Sequence, residues 1–100
     1  MQKRTIIKNI KAIIKEHGSF TTADIQADSS PCILSRKGIN VLCESFDYDN
    51  VEAVTYDRHD EEIETERIKY EDLKKDVLEE ILYLADIHEA DSLQTEKRIS

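Results

Sequence analysis

Glycine occurs only twice and proline once in the 100 residues, and no stretch holds 18 consecutive apolar side chains. The two glycines, Gly18 and Gly38, are too few for a phosphate-cradling loop, and the short apolar runs exclude a membrane-spanning helix. Few breakers together with 36% charged residues argue against disorder or low complexity. Cysteine is equally scarce. Cys32 and Cys43 do not make a disulfide framework, and a structural zinc site would need His17, His59 or His88 to join them at spacings that match no zinc signature. Residues 1–30 lack a run of seven apolar residues followed by a small-residue cleavage site, so a soluble protein of the cytoplasm is expected.

Acids are missing from the first 15 residues, where Lys3, Arg4, Lys8, Lys11 and Lys15 give +5. Residues 44–91 carry 18 acids against five bases, a balance of −13. With a net charge of −8, the chain as a whole repels phosphate backbones, so nucleic acid is disfavoured as a partner unless a local basic patch is presented.

Apolar material is plentiful: thirteen Ile, seven Leu and four Val are enough for one core. Ile6, Ile7, Ile10, Ile13 and Ile14 follow the i, i+3, i+4, i+7 spacing of a helix with one buried face. β-Branched isoleucine is a mediocre helix former, so packing must hold this helix, and Gly18 ends it. Residues 19–31 read as a connection with one helical turn near 22–27, capped by Thr21 or Thr22. Pro31 then favours the start of a strand.

Apolar runs at 32–35, 39–46 and 51–56 are divided by turn residues and predict an antiparallel meander. A two-residue loop at Lys37-Gly38 sets Leu34 opposite Val41 and Cys32 opposite Cys43. A four-residue loop at 47–50 sets Val54 opposite Cys43. One face then collects Cys32, Leu34, Ile39, Val41, Cys43, Val54 and Tyr56. Residues 63–70 suit a fourth strand if a bulge, or a shorter strand over residues 66–70, reconciles Ile63 with Ile68. From Glu71 onward, Leu73, Val77, Ile81, Leu84 or Ala85 and His88 recur at helical spacing, widened by Leu78 and Leu82. The expected fold is therefore an α+β domain over residues 1–92. Its N-terminal and C-terminal helices both cover one face of a three- to four-stranded antiparallel meander, and residues 93–100 form a frayed tail.

Catalysis finds little support. Cys43 lies in an apolar strand, which raises and shields a thiol, and no Ser, His and Asp arrangement follows from spacing. Calcium-loop spacing is absent as well, so neither a catalytic residue, a metal nor a cofactor is expected. Two surfaces remain. Arg4, Lys8, Lys11 and Lys15 share one side of the first helix, either to grip anions or simply as its solvated side, neutralising the acidic sheet. Asp60, Glu61, Glu62, Glu64 and Glu66 form an acidic surface, with the last three on one side of an edge strand protected against pairing. Tyr83, beside Leu84 and Ile87, gives the second helix another apolar edge, so monomer and homodimer both remain open.

Residues 18–25 (Gly-Ser-Phe-Thr-Thr-Ala-Asp-Ile) also look like the opening of a winged helix, with residues 39–56 as the wing and 30–38 as the recognition helix. The same stretch continued through Ser29-Ser30-Pro31-Cys32, together with residues 51–57 and 70–81, resembles a group of short uncharacterised proteins of gut Bacteroidales and their mobile elements. These motifs are structural, no activity attaches to that group, and the resemblance implies no site residue. Where such relatives cap the second helix with Ser, this chain has Lys74 and Lys75. The sequence thus points to a small non-enzymatic acidic protein working through protein contacts, with a basic protein as partner. The competing class is a DNA-binding regulator using the basic face of the first helix.

Overall fold

A computed structural model describes the backbone of residues 1–99 and the side chains of residues 1–94. Helix α1 (Lys3–His17) buries Ile6, Ile10, Ile13 and Ile14, as the isoleucine spacing requires. Gly18, at φ +92°, ends it and donates its N–H to the Ile14 carbonyl at 2.7 Å. Nothing lies within 4 Å of where its Cβ would stand, so backbone conformation rather than space demands glycine. Strand β1 (Phe20–Thr21) follows at once. It falls in a stretch expected to be irregular, because two residues carry no periodicity.

Strands β2 (Cys32–Arg36), β3 (Ile39–Phe46), β4 (Asn50–Tyr56) and β5 (Glu62–Lys69) form the antiparallel meander. With β1 they make a five-stranded sheet in which β1 and β2 share one edge of β3. Phe20 pairs with Phe46 at one end of that edge, and residues 32–36 pair with 39–42 at the other. The chain leaves the edge where Thr22 N–H donates to Glu44 O at 3.0 Å, and returns where Cys43 N–H donates to Pro31 O at 2.8 Å. Between these points lies a single turn rather than a helix. Its start is a capping box: Asp24 N–H donates to Thr21 Oγ1, and Thr21 N–H donates to Asp24 Oδ2, both at 3.0 Å. Gln26, at φ +52°, stops the turn from propagating.

The β2–β3 loop is the expected two-residue turn, with Lys37 at φ +52° and Gly38 at φ +79°, as in a type I′ hairpin. Leu34 accordingly stands opposite Val41. The other expected pairs are displaced by bulges. Ile33 is an extra residue in β2, so Cys32 faces Leu42, and Glu44 is an extra residue in β3, so Cys43 faces Ala53 and Val54 faces Leu42. A one-residue insertion exchanges the faces. The helix-covered face is therefore built from Cys43, Phe46, Val51 and Ala53, all fully buried, together with Val41. Cys32, Val54 and Tyr56 belong to the opposite face, and Leu34 and Ile39 stand half exposed at the far end of β2 and β3. Val54 is nonetheless only 5% exposed. On that face Tyr56 sits opposite Asn40, and its hydroxyl donates to the Glu44 carboxylate at 2.8 Å.

Both helices pack on the one face, as expected. Helix α2 (Lys75–Ile99) buries Val77, Leu78, Ile81, Leu84 and Ala85 against the α1 isoleucines, Phe20, Phe46 and Val51. It begins later than Glu71, because Tyr70–Asp72 form a 3₁₀ turn and Leu73 is extended at φ −90°, ψ 150°. Tyr70 fixes that delay: its ring is fully buried and its hydroxyl donates to Asp47 O at 2.7 Å. Past residue 92, in the stretch expected to fray, α2 continues as helical backbone to Ile99, while Ser100 lies outside the described residues. Among the described residues no helix is long and apolar enough to cross a membrane.

Candidate interaction surfaces

The acidic residues singled out from sequence divide between a loop and an edge. Asp60 and Glu61 belong to the β4–β5 loop, where Asp57 Oδ1 accepts from the N–H groups of His59 (2.8 Å) and Glu61 (3.1 Å) and Asp60 takes φ +60°. Glu62, Glu64 and Glu66 lie exposed on β5, the outer strand of the sheet. They do not share one side. Ile63 is an extra residue in β5, so Glu62 pairs with Tyr56 while Glu64 and Glu66 pair with Thr55 and Ala53 on the opposite face. The bulge foreseen near Ile63 does form, but it leaves that side chain 57% exposed while Ile68 packs against the core.

The basic stripe of α1 is likewise divided. Arg4, Lys8 and Lys15 are exposed. Lys11 turns inward, with Nζ 3.7 Å from Glu71 Oε1 and 5.4 and 5.8 Å from the ring centroids of Tyr48 and Tyr70. Lys3 Nζ donates to Glu71 O at 2.8 Å. The Glu71 carboxyl is held below its ordinary range, first by its own backbone N–H and then, against a small opposing effect of burial, by the Lys11 ammonium. Part of the positive stripe thus neutralises the 3₁₀ turn within the molecule. Residues 32–36, which a winged helix would need in its recognition helix, are instead β2, paired to β3 through its full length. No helix is available there to enter a DNA groove.

A third surface was not foreseen. The excursion of residues 25–31 stands off from the outer side of α2 and leaves a groove of about 660 Å³. Ile25, Ala27, Pro31, Leu84 and Ile87 supply its apolar lining, and Asp28, Asp76, Glu79 and Glu80 supply its charge. Among the described residues no Lys, Arg or His lines it. Tyr83, 67% exposed, stands in its wall. Part of the α2 side was visible in sequence as the second apolar edge of Tyr83, Leu84 and Ile87, whereas the carboxylates of Asp76, Glu79 and Glu80 were not singled out. The facing wall was not, since an irregular loop has no period. Among the described residues the groove holds neither a histidine nor a cysteine. The Cys43 thiol lies elsewhere, pushed up to about 12 by burial first and then by the neighbouring Cys32 and Glu80.

Comparison of the chain with protein-family models, with curated proteins and with solved structures finds no match.

Proposed function

We propose that this chain is a small non-enzymatic acidic protein that acts through protein–protein contacts, receiving a basic segment of a partner protein in the groove between residues 25–31 and α2. One observation carries the reading: an apolar lining edged by four carboxylates and, among the described residues, no base. Leucine-like anchors of a partner would be removed from water against Ile25, Leu84 and Ile87, while its lysines or arginines would meet Asp76, Glu79 and Glu80. Tyr83 is the kind of rigid, amphipathic aromatic that anchors such contacts. The acidic edge at Glu62, Glu64 and Glu66 offers charge without an apolar recess, and its bulge splits the charge between two faces, so it ranks behind the groove.

The test is fluorescence anisotropy with a labelled amphipathic helical peptide that carries leucines on one face and lysines beside them. Binding is expected to weaken at least tenfold on Glu79→Lys with Glu80→Lys, and on Tyr83→Ala, but to change little on Glu64→Lys with Glu66→Lys. Equal weakening by both charge reversals would reduce the interaction to general electrostatics, and the groove reading would fail. Exposed charges are screened beyond roughly 8–10 Å at physiological salt, so the contrast should be measured there.

A further inference from the structure

The last turn of α1 and the middle of α2 bring Glu16, His17 and Glu89 together. The His17 side chain is only 5% exposed, and its Nε2 faces Glu89 Oε2 at 3.7 Å and Glu16 Oε2 at 3.9 Å. Both separations exceed a hydrogen bond. The His17 ring, largely buried, therefore meets the two carboxylates at ion-pair distance rather than through a hydrogen bond.

One donor atom from each residue lies within 4.8 Å of the others. Around a tetrahedral zinc ion with bonds of about 2.0–2.1 Å, neighbouring ligand atoms stand about 3.3–3.4 Å apart. The two histidine–carboxylate separations, 3.7 and 3.9 Å, and the 4.8 Å limit on the trio are wider than that, so the glutamates, 75% and 40% exposed at their side chains, would have to turn inward to close on an ion. We propose that Glu16, His17 and Glu89 bind a divalent transition-metal ion of the zinc type, with water completing the coordination, and that the ion joins the end of α1 to α2.

The surroundings favour this. Two carboxylates offset the charge of a divalent ion, and the carbonyl end of α1 attracts a cation. An imidazole with two carboxylates suits zinc and its first-row neighbours better than calcium, which takes oxygen ligands only. His88 is not a fourth ligand: its Nε2 lies 3.1 Å from Gly18 O, and its ring is stacked on Phe20 at 4.6 Å. It stands edge-on to His17, with centroids 6.5 Å apart, as a wall of the site.

The competing account is a protonated His17 simply paired with the two glutamates, and it predicts no metal binding. Titration calorimetry of the full chain with zinc chloride near neutral pH, and visible absorption with cobalt(II) as a spectroscopic probe, separate the two. A single equivalent bound, with the intense absorption of four-coordinate cobalt, is expected. Glu89→Gln, a change at a partly exposed position that should leave the fold intact, should abolish that equivalent, as should His17→Gln if the variant folds. A Cys32→Ser, His59→Gln variant, which removes the other accessible soft donors, should retain it. Absence of zinc binding, or binding unaffected by Glu89→Gln, or binding lost with Cys32 and His59, would overturn the proposal.

Discussion

Gly38→Ala tests the hairpin that sets the β2–β3 register. At φ +79° an L-residue pays left-handed strain of roughly 1–2 kcal/mol. The added methyl would also stand 2.9 Å from Arg58 Cβ in the neighbouring β4–β5 turn. Optimal carbon–carbon contact is about 3.5–4.0 Å, and Cβ is tied to the backbone, so one turn must shift by roughly half an ångström or more, at a cost of about 1 kcal/mol. Restricting the unfolded chain returns about 0.4–1 kcal/mol. The net expectation is a loss of about 2 kcal/mol, or about 8–16 °C in Tm for a domain of this size. Urea unfolding followed by circular dichroism measures it, with an unchanged m-value as the sign that the folded state has not been altered. Adding Arg58→Gly to Gly38→Ala should recover about 1 kcal/mol beyond the additive sum, because only the contact is shared between the two sites. A Gly38→Ala variant within about 0.5 kcal/mol of the parent, the ordinary scatter of surface substitutions, would refute the reasoning.

Two further outcomes follow from titratable groups. Cys43, buried and raised to about 12, should resist a thiol reagent at mildly alkaline pH while the exposed Cys32 reacts, with the second thiol appearing only on unfolding. Equal reaction rates for both thiols in the native protein would contradict the burial argument. Tyr56 is raised from 10.0 to about 12, chiefly by its hydrogen bond to Glu44, then by burial and by the Glu44 and Glu62 charges. A folded value above the unfolded one means that its contribution to stability is complete below about pH 10 and is lost as the pH rises toward 12. Glu44→Gln should therefore bring one late-titrating tyrosine to lower pH in the near-ultraviolet phenolate absorbance, leaving Tyr70, which burial raises, still late. An unchanged titration curve would show that the Tyr56–Glu44 bond does not form.

What could be read from sequence was whatever repeats. The isoleucines of α1 and the Val77, Ile81, Ala85 series of α2 announce buried faces through a 3.6-residue period that side-chain chemistry enforces over several turns. Lys37-Gly38 marked its hairpin because two consecutive positive φ angles favour glycine there. The misplaced strand faces are single-residue events. Ile33, Glu44 and Ile63 each insert one residue into a strand, and only at Ile63, out of phase with Ile68, did the sequence hint at it. Val54 consequently moved to the open face and Glu62 parted from Glu64 and Glu66. The two-residue β1, the 3₁₀ turn before α2 and the helical backbone past residue 92 were missed because none of them carries a sustained apolar period. The groove and the Glu16, His17, Glu89 cluster depend on the docking of distant segments, in the second case residues about seventy positions apart, where no local pattern reaches.

The pair of hydrogen bonds that frame the excursion, from Thr22 to Glu44 and from Cys43 to Pro31, makes one wall of the groove a cassette. Its two ends are clamped on the same stretch of β3, so its exposed residues can be rewritten without altering a strand pairing, provided the core contacts of Ile25 and Ala27 are kept. Surface loops absorb such changes at little thermodynamic expense. The scaffold can thus keep its helices and sheet while one wall of the groove changes, and replacing the exposed residues between Thr22 and Pro31 alters that wall alone.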